Sequence, residues 1–447
     1  MSNKRTEINK NFYEEMQLEI SKQENDKIIR NSILNVGLDE TATNHQAKID
    51  MQHSFSLELK TGKITSQNKS GRCWLFAGLN TMRFKIMEDL NLKNFELSQT
   101  YQMFFDKIEK ANYFLENILE TLDEETDSRI IMWLLSGPLN DGGQWDMFTS
   151  IVEKYGVVPK ETMPETFASS NSARMNNILT LKLRESASKL RENYKNGRTI
   201  EQLKDDKKGM LTEFYRLLTM FLGVPPKEFT FEYKDKDKKF HRDLNITPTE
   251  FYSKFVDIDL NNFVSIINAP TKDKPFNKTF TVQFLGNVED GNDVKYLNVD
   301  MKTFKKLALS QLNDGTPVWF GSDVGKKMQR ENGILDENIY NYENALNSKF
   351  DLDKAGRLDY GESLMTHAMV FTGVNLIDNI PNRWKVENSW GDKNGKKGYF
   401  VMSDKWFEEY TYQIVINKKH LSDELKKAWE TEPIILKPWD PMGSLAI

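Results

Sequence analysis

Cysteine is almost missing: Cys73 is the single one in 447 residues, so no intrachain disulfide can form. In a chain of this length that points to a reducing compartment, and the expected location is cytoplasmic. An excess of either charge sign is also lacking. Lys and Arg number 61 against 66 Asp and Glu, a net of −5, and such a balance disfavours nucleic acid as the main partner. No stretch approaches the roughly 20 apolar residues needed to cross a bilayer, so no membrane partner is expected. The first thirty residues scatter charge (Lys4, Arg5, Glu7, Lys10) and contain no apolar run of signal-peptide length. Histidines are few: His45, His53, His241, His367 and His420. No His, Cys and carboxylate cluster shows ligand spacing, so neither a metal nor an organic cofactor is expected. What the chain does have is 38% hydrophobic and 11% aromatic residues, which excludes wholesale disorder and suffices for a sizeable core.

Along the chain, the opening through Asp39 reads as helix, with a polar connector from Glu40 to Gln52. The loop Ser66-Gln67-Asn68-Lys69-Ser70-Gly71-Arg72 runs straight into an apolar helical pattern, which places Cys73 at a helix start. Segments 97–120 and 128–160 are mainly helical, broken by the loop Asn140-Asp141-Gly142-Gly143. From 166 to 222 charged residues flank Leu and Phe in a solvated helical pattern. Phe229–Tyr233 and Phe240–Arg242 form a hairpin with a charged tip, and Thr247-Pro248-Thr249-Glu250 is a helix-start signature. The last third carries short β-type runs at 317–320, 368–372, 383–386 and 398–402. Helices in front and strands behind predict an α+β fold of two lobes.

A thiol nucleophile needs a base, something to orient that base, and donors for the developing oxyanion. Cys73 at a helix start feels the N-terminal dipole, which favours thiolate, although a lone cysteine is ordinarily a small buried hydrophobe. His367 opens an apolar strand and is the candidate base; the other four histidines lie in surface-like surroundings. Asn388, just past a strand, can orient an imidazole without titrating, and Trp390 can shield that bond from water. Gln67, six residues before Cys73, can donate a side-chain N–H to an oxyanion, joined by the Cys73 backbone N–H. Each residue alone has an ordinary structural explanation, but their joint occurrence in this order is hard to attribute to chance.

Gln67, Cys73-Trp74, Thr366-His367-Ala368 and Asn388-Ser389-Trp390-Gly391, with Gly398-Tyr399-Phe400 downstream, resemble the papain-like cysteine peptidases. Gly315-Thr316-Pro317-Val318, Leu97-Ser98-Gln99 and Asp141-Gly142-Gly143 resemble further motifs of that family, the glycine pair Gly142 and Gly143 lining its substrate cleft. His367 lies 294 residues after Cys73, against about 130–150 in papain and cathepsins. Ser70 stands where secreted papains carry a disulfide cysteine. Both departures match the bleomycin hydrolase and aminopeptidase C branch. So do Met365-Thr366-His367-Ala368-Met369 and the tail Lys437-Pro438-Trp439-Asp440-Pro441-Met442-Gly443-Ser444-Leu445-Ala446-Ile447.

The resemblance implies a papain-like two-lobed fold with a large helical insertion and a C-terminal arm in the cleft. The expected division is an N-terminal helical hook (1–60), a helical catalytic lobe with Cys73 (61–165) and a mainly helical insertion with a hairpin (166–300). A strand-rich, barrel-like lobe with His367 and Asn388 (301–436) and the arm (437–447) complete it. It further implies a cytoplasmic cysteine aminopeptidase of broad specificity acting on peptide substrates, with hydrolysis of bleomycin-like amides as an activity the family name suggests. The arm's terminal carboxylate, on Ala446 or Ile447, marks where the substrate's free amine sits; opposite charges 4 Å apart attract by about 4 kcal/mol at an effective dielectric near 20. A homohexamer with sites facing an internal chamber is implied as well. The competing reading is a self-compartmentalised peptide- or nucleic-acid-binding protein with secondary peptidase activity, using Lys-rich segments 193–208 and 234–242. Both segments also contain acids.

Overall fold

The computed structural model describes residues 6–21 and 26–445. Helices Lys10–Ser21, Asp26–Val36 and Leu38–Ala42 open the chain, as the apolar spacing predicts. The expected polar connector contains a further short helix, His45–Asp50, whose start is capped by the Asn44 side chain accepting from the Gln46 and Ala47 amides. A capping asparagine, rather than apolar periodicity, is what organises that stretch.

The helix Cys73–Asp89 is apolar on almost every side and lies within the core, with Trp74, Leu75, Phe76, Leu79 and Met82 buried. Helices Gln99–Glu120 and Trp145–Tyr155 pack on it, and Arg129–Ser136 packs on Gln99–Glu120; Ser98 caps Gln99–Glu120 and Ser128 caps Arg129–Ser136. Two long helices, Ala173–Lys195 and Ile200–Leu222, pack on Gln99–Glu120 through Leu179, Leu183 and Leu190 and through Leu203, Phe214 and Leu218. That three-to-four spacing is the single apolar stripe of a surface helix. The hairpin Phe229–Lys234 with Phe240–Ile246 follows, and Thr247 and Glu250 form a reciprocal capping box around Pro248.

Among the described residues a twelve-stranded sheet forms the other half. Its centre runs through Thr411–Asn417, Val318–Ser322, His367–Ile377, Ile380–Glu387 and Tyr399–Ser403, all antiparallel neighbours. Strands Phe263–Ile267, Lys278–Val282 and Tyr296–Asn298 extend the same sheet, where the sequence pattern suggested mainly helix with one hairpin. They are three to five residues long. In Phe263–Ile267 four successive residues are buried, so the alternation that betrays a half-exposed strand is missing. The α+β class and the order of helical and strand-rich halves are as expected. Among the described residues no helix is long and apolar enough to cross a membrane, and no three His, Cys, Asp or Glu side chains are grouped to hold a metal ion.

Candidate active site

Cys73 is the first residue of its helix and fully buried. Arg72, just before it, offers no capping side chain, so the Cys73 and Trp74 amides remain for the sulfur. A third amide reaches Sγ from the opposite half of the molecule: Ala368 N–H donates to it at 3.4 Å. Since Ala368 follows His367, this bond brings the strand-borne histidine to the helix-borne thiol across nearly 300 residues of sequence.

His367 begins the strand His367–Ile377, in register with Ser322. Its Nε2 lies 2.9 Å from Asn388 Oδ1. The same oxygen also accepts the Ser389 backbone N–H at 2.7 Å. A backbone amide can only donate, so the atom facing it must be the amide oxygen of Asn388, and His367 Nε2 must then carry a hydrogen. In the neutral ring this leaves Nδ1 as the proton acceptor. Trp390 covers the imidazole at a centroid distance of 4.8 Å, and the Arg330 guanidinium lies 4.5 Å from the Trp390 ring.

Burial opposes a charge on either group alone. It pushes the Cys73 thiol up to about 12, against the lowering effect of the Ala368, Trp74 and Cys73 amides. It pulls His367 down to about 4, opposed by the Asn388 hydrogen bond and reinforced by Arg330. A proton passed from the sulfur to the imidazole would create both charges together, so that each could serve as the other's counter-ion.

Gln67 sits in the loop before Cys73 with its side-chain oxygen accepting from Ser389 Oγ at 2.6 Å. One of its two Nε2 hydrogens goes to the Ser70 carbonyl at 2.6 Å, which leaves the other as a donor. The Gln67 N–H donates to the Ser389 carbonyl at 2.8 Å, so this loop is tied to the segment carrying Asn388. Gly143 packs on Trp74 so closely that a Cβ would lie 2.5 Å from the indole, a contact only glycine permits. The Gly142 carbonyl accepts from Lys110 Nζ at 2.6 Å.

The C-terminal segment is docked. Strand Ile434–Leu436 pairs with Lys278–Val282, Met442 is buried, and Ser444 lies between Gln144 Nε2 (2.8 Å to its carbonyl) and the Met365 carbonyl (2.8 Å from its Oγ). Gln144 follows the glycine pair and Met365 precedes His367 by two, so Ser444 lies between the segments that carry these residues. Ala446 and Ile447 lie outside the described residues. Of the remaining histidines, His45 is exposed and His53, His241 and His420 are half-buried, none of them near Cys73 in the hydrogen-bond network.

Several ties are absent from any sequence motif. Asp141 gathers four donors on its carboxylate: Gly71 N–H at 3.0 Å, Lys107 Nζ at 2.7 Å, Asn176 Nδ2 at 2.7 Å, and Ser172 Oγ. Lys107 and the other donors hold it well below the usual carboxylate range despite its burial. Arg72 forms a two-pronged pair with Glu165 at 3.1 and 2.8 Å. Arg83, on the Cys73 helix, pairs with buried Glu387 at 2.6 Å, one residue before Asn388. The only sequence signal was the position of these charges beside motif residues.

Known proteins similar to this one match it along nearly the whole chain. Aminopeptidase C of Listeria innocua is 54% identical over 423 residues, covering 94% of this chain and 95% of that one. Human bleomycin hydrolase is 42% identical over 413 residues, with 91% and 90% covered. The crystal structure of PepW from Lactobacillus rhamnosis superposes with a TM-score of 0.97 at 49% identity, covering both chains fully. The description that matches residues 7–443 is that of the Peptidase C1-like family, and the protein belongs to that family with a papain-like fold.

Proposed function

We propose that the protein is a cysteine aminopeptidase in which Cys73 is the nucleophile, His367 the general base and acid, and Asn388 the group that orients His367. The observation that carries this is the pair of bonds at the junction of the two halves: Ala368 N–H on Cys73 Sγ, and Asn388 Oδ1 on His367 Nε2. Sγ attacks the scissile carbonyl as its proton passes to Nδ1. The imidazolium then protonates the leaving amine, and neutral His367 activates the water that cleaves the acyl-enzyme. The free Nε2 hydrogen of Gln67 and the Cys73 N–H hold the oxyanion, Trp390 shields the His367–Asn388 bond, and Gly142 and Gly143 line the substrate cleft.

Peptides with a free N-terminus are the substrates, in line with relatives named aminopeptidase C. In this reading the carboxylate of Ala446 or Ile447, beyond Ser444, receives the substrate ammonium. The lobes are those of residues 61–165 and 301–436, with strands from 263–298 added to the second. Cytoplasmic location is supported by the lone cysteine. A homohexamer is supported by apolar side chains left in water on the first two helices, among them Phe12, Tyr13, Ile28 and Leu34; a monomer mass in light scattering would contradict it. In 193–208, Arg198, Lys207 and Lys208 are paired with Asp206, Glu116 and Asp205, which weakens the positive field available to nucleic acid.

The test is a fluorogenic substrate with a free α-amine beside its N-acetylated twin, each with and without a thiol alkylator. The free-amine substrate is expected to turn over and to stop on alkylation, while the acetylated one is refused. Turnover insensitive to alkylation refutes the thiol mechanism.

A further inference from the structure

The arm is aimed at the site from one point. After strand Ile434–Leu436 the chain turns at Lys437–Asp440 and then makes a short 3-10 turn, Pro441–Gly443. Asp440 serves both directions. Its Oδ1 accepts the Met442 N–H at 2.8 Å and so shapes the turn, while its Oδ2 lies 2.8 Å from Lys274 Nζ. The Lys274 side chain is only 2% exposed. Its backbone is fixed by Asn298 Nδ2, which donates to the Lys274 carbonyl at 2.6 Å. A second carboxylate, Asp273, lies 2.9 Å from the same ammonium but is 59% exposed. Water screens a half-exposed partner, so the buried ammonium depends on the carboxylate that the arm brings to it. Two contacts lie nearby and carry no charge pair: Arg129 stacks on Trp439 at 3.6 Å, and Tyr296 OH donates to the Met442 carbonyl at 3.1 Å.

We propose that the Lys274–Asp440 ion pair is the positioning device of the arm, setting how far it reaches past Gln144 and Met365 and hence how strictly the site demands a free substrate amine. The inference rests on the reading that the end of the arm receives that amine. Asp440 is four residues before Ser444, with the turn between them fixed by the same carboxylate. A slip of one residue, about 3.3 Å, would take a charge pair from about 4 Å to about 7 Å and remove nearly half of its Coulomb attraction.

The experiment measures the ratio of kcat/KM for a free-amine fluorogenic substrate to that of its N-acetylated twin, in the full-length protein. Asp440→Asn keeps an oxygen for the Met442 amide and removes the charge facing Lys274. The ratio is expected to fall by about tenfold to a hundredfold, since displacements of ångström size can cost that much. Asp440→Glu keeps the charge and moves it by one methylene; it is expected to lower the ratio less, and it decides the matter should Asp440→Asn fail to fold. Asp273→Asn leaves the arm contact in place and is expected to keep the ratio within about twofold of the parent. Lost stability alone would lower Tm and leave the ratio of the folded protein unchanged. Deleting Ser444 to Ile447 separates the two levels. An unchanged ratio after deletion overturns the arm reading and this inference with it. A ratio that collapses on deletion but survives in both Asp440 variants overturns the inference alone.

Discussion

The two halves of the site are held by different forces. His367 is placed by backbone pairing: its strand is in register with Val318–Ser322 on one side and with Ile380–Glu387 on the other. Its first eight residues are all buried, and a one-residue slip would exchange the faces of every one of them. Cys73 follows a loop with little ladder of its own, and side chains fix that loop instead. Asp141 holds the Gly71 amide, Glu165 holds Arg72, and Ser389 holds Gln67. Backbone register is specified by many small contributions, whereas a side-chain tie is concentrated in one residue. Single polar substitutions are therefore expected to disturb the loop half far more than the strand half.

The largest expected effect is at Glu165. Glu165→Gln leaves the Arg72 guanidinium, whose side chain is 1% exposed, without a compensating charge. Breaking a buried pair in this way costs about 3–5 kcal/mol, to be read from urea unfolding. A loss below about 1 kcal/mol would show that the loop is held by packing and not by charge.

A somewhat smaller effect belongs to the strand half and appears only in acid. His367 titrates near 4 when folded, against 6.5 as its ordinary value. Between those values the unfolded chain binds a proton that the folded one keeps off, so stability is intact above pH 6.5 and falls as the pH drops towards 4. The full window is worth about 3 kcal/mol. The difference between parent and His367→Gln unfolding curves should show this slope over that window, and parallel curves would contradict the burial account.

Much of the site was legible because its chemistry is demanding. A thiol at a helix start, one histidine opening an apolar strand and Asn-Ser-Trp-Gly after another strand are residue types that few roles require together. The helix start at Thr247-Pro248-Thr249-Glu250 was equally readable, since a capping box is local. The strands at 263–267, 278–282 and 296–298 were not, because short segments buried on both faces owe their conformation to distant neighbours; Phe263–Ile267 pairs with Thr411–Asn417. The same reason hides the ties of the loop. Arg72 and Glu165 are 93 residues apart, and nothing in the local pattern distinguishes either from a surface charge.

The most direct measurement traps the covalent intermediate. A free-amine aminoacyl ester is mixed with the protein, quenched in acid during turnover, and the digest is mapped by mass spectrometry. With one cysteine in the chain, a thioester has a single possible position. The account predicts an acyl group on the peptide containing Cys73 and none in Cys73→Ala. Sustained turnover with the acyl group on another residue, or continued turnover by Cys73→Ala, would contradict it.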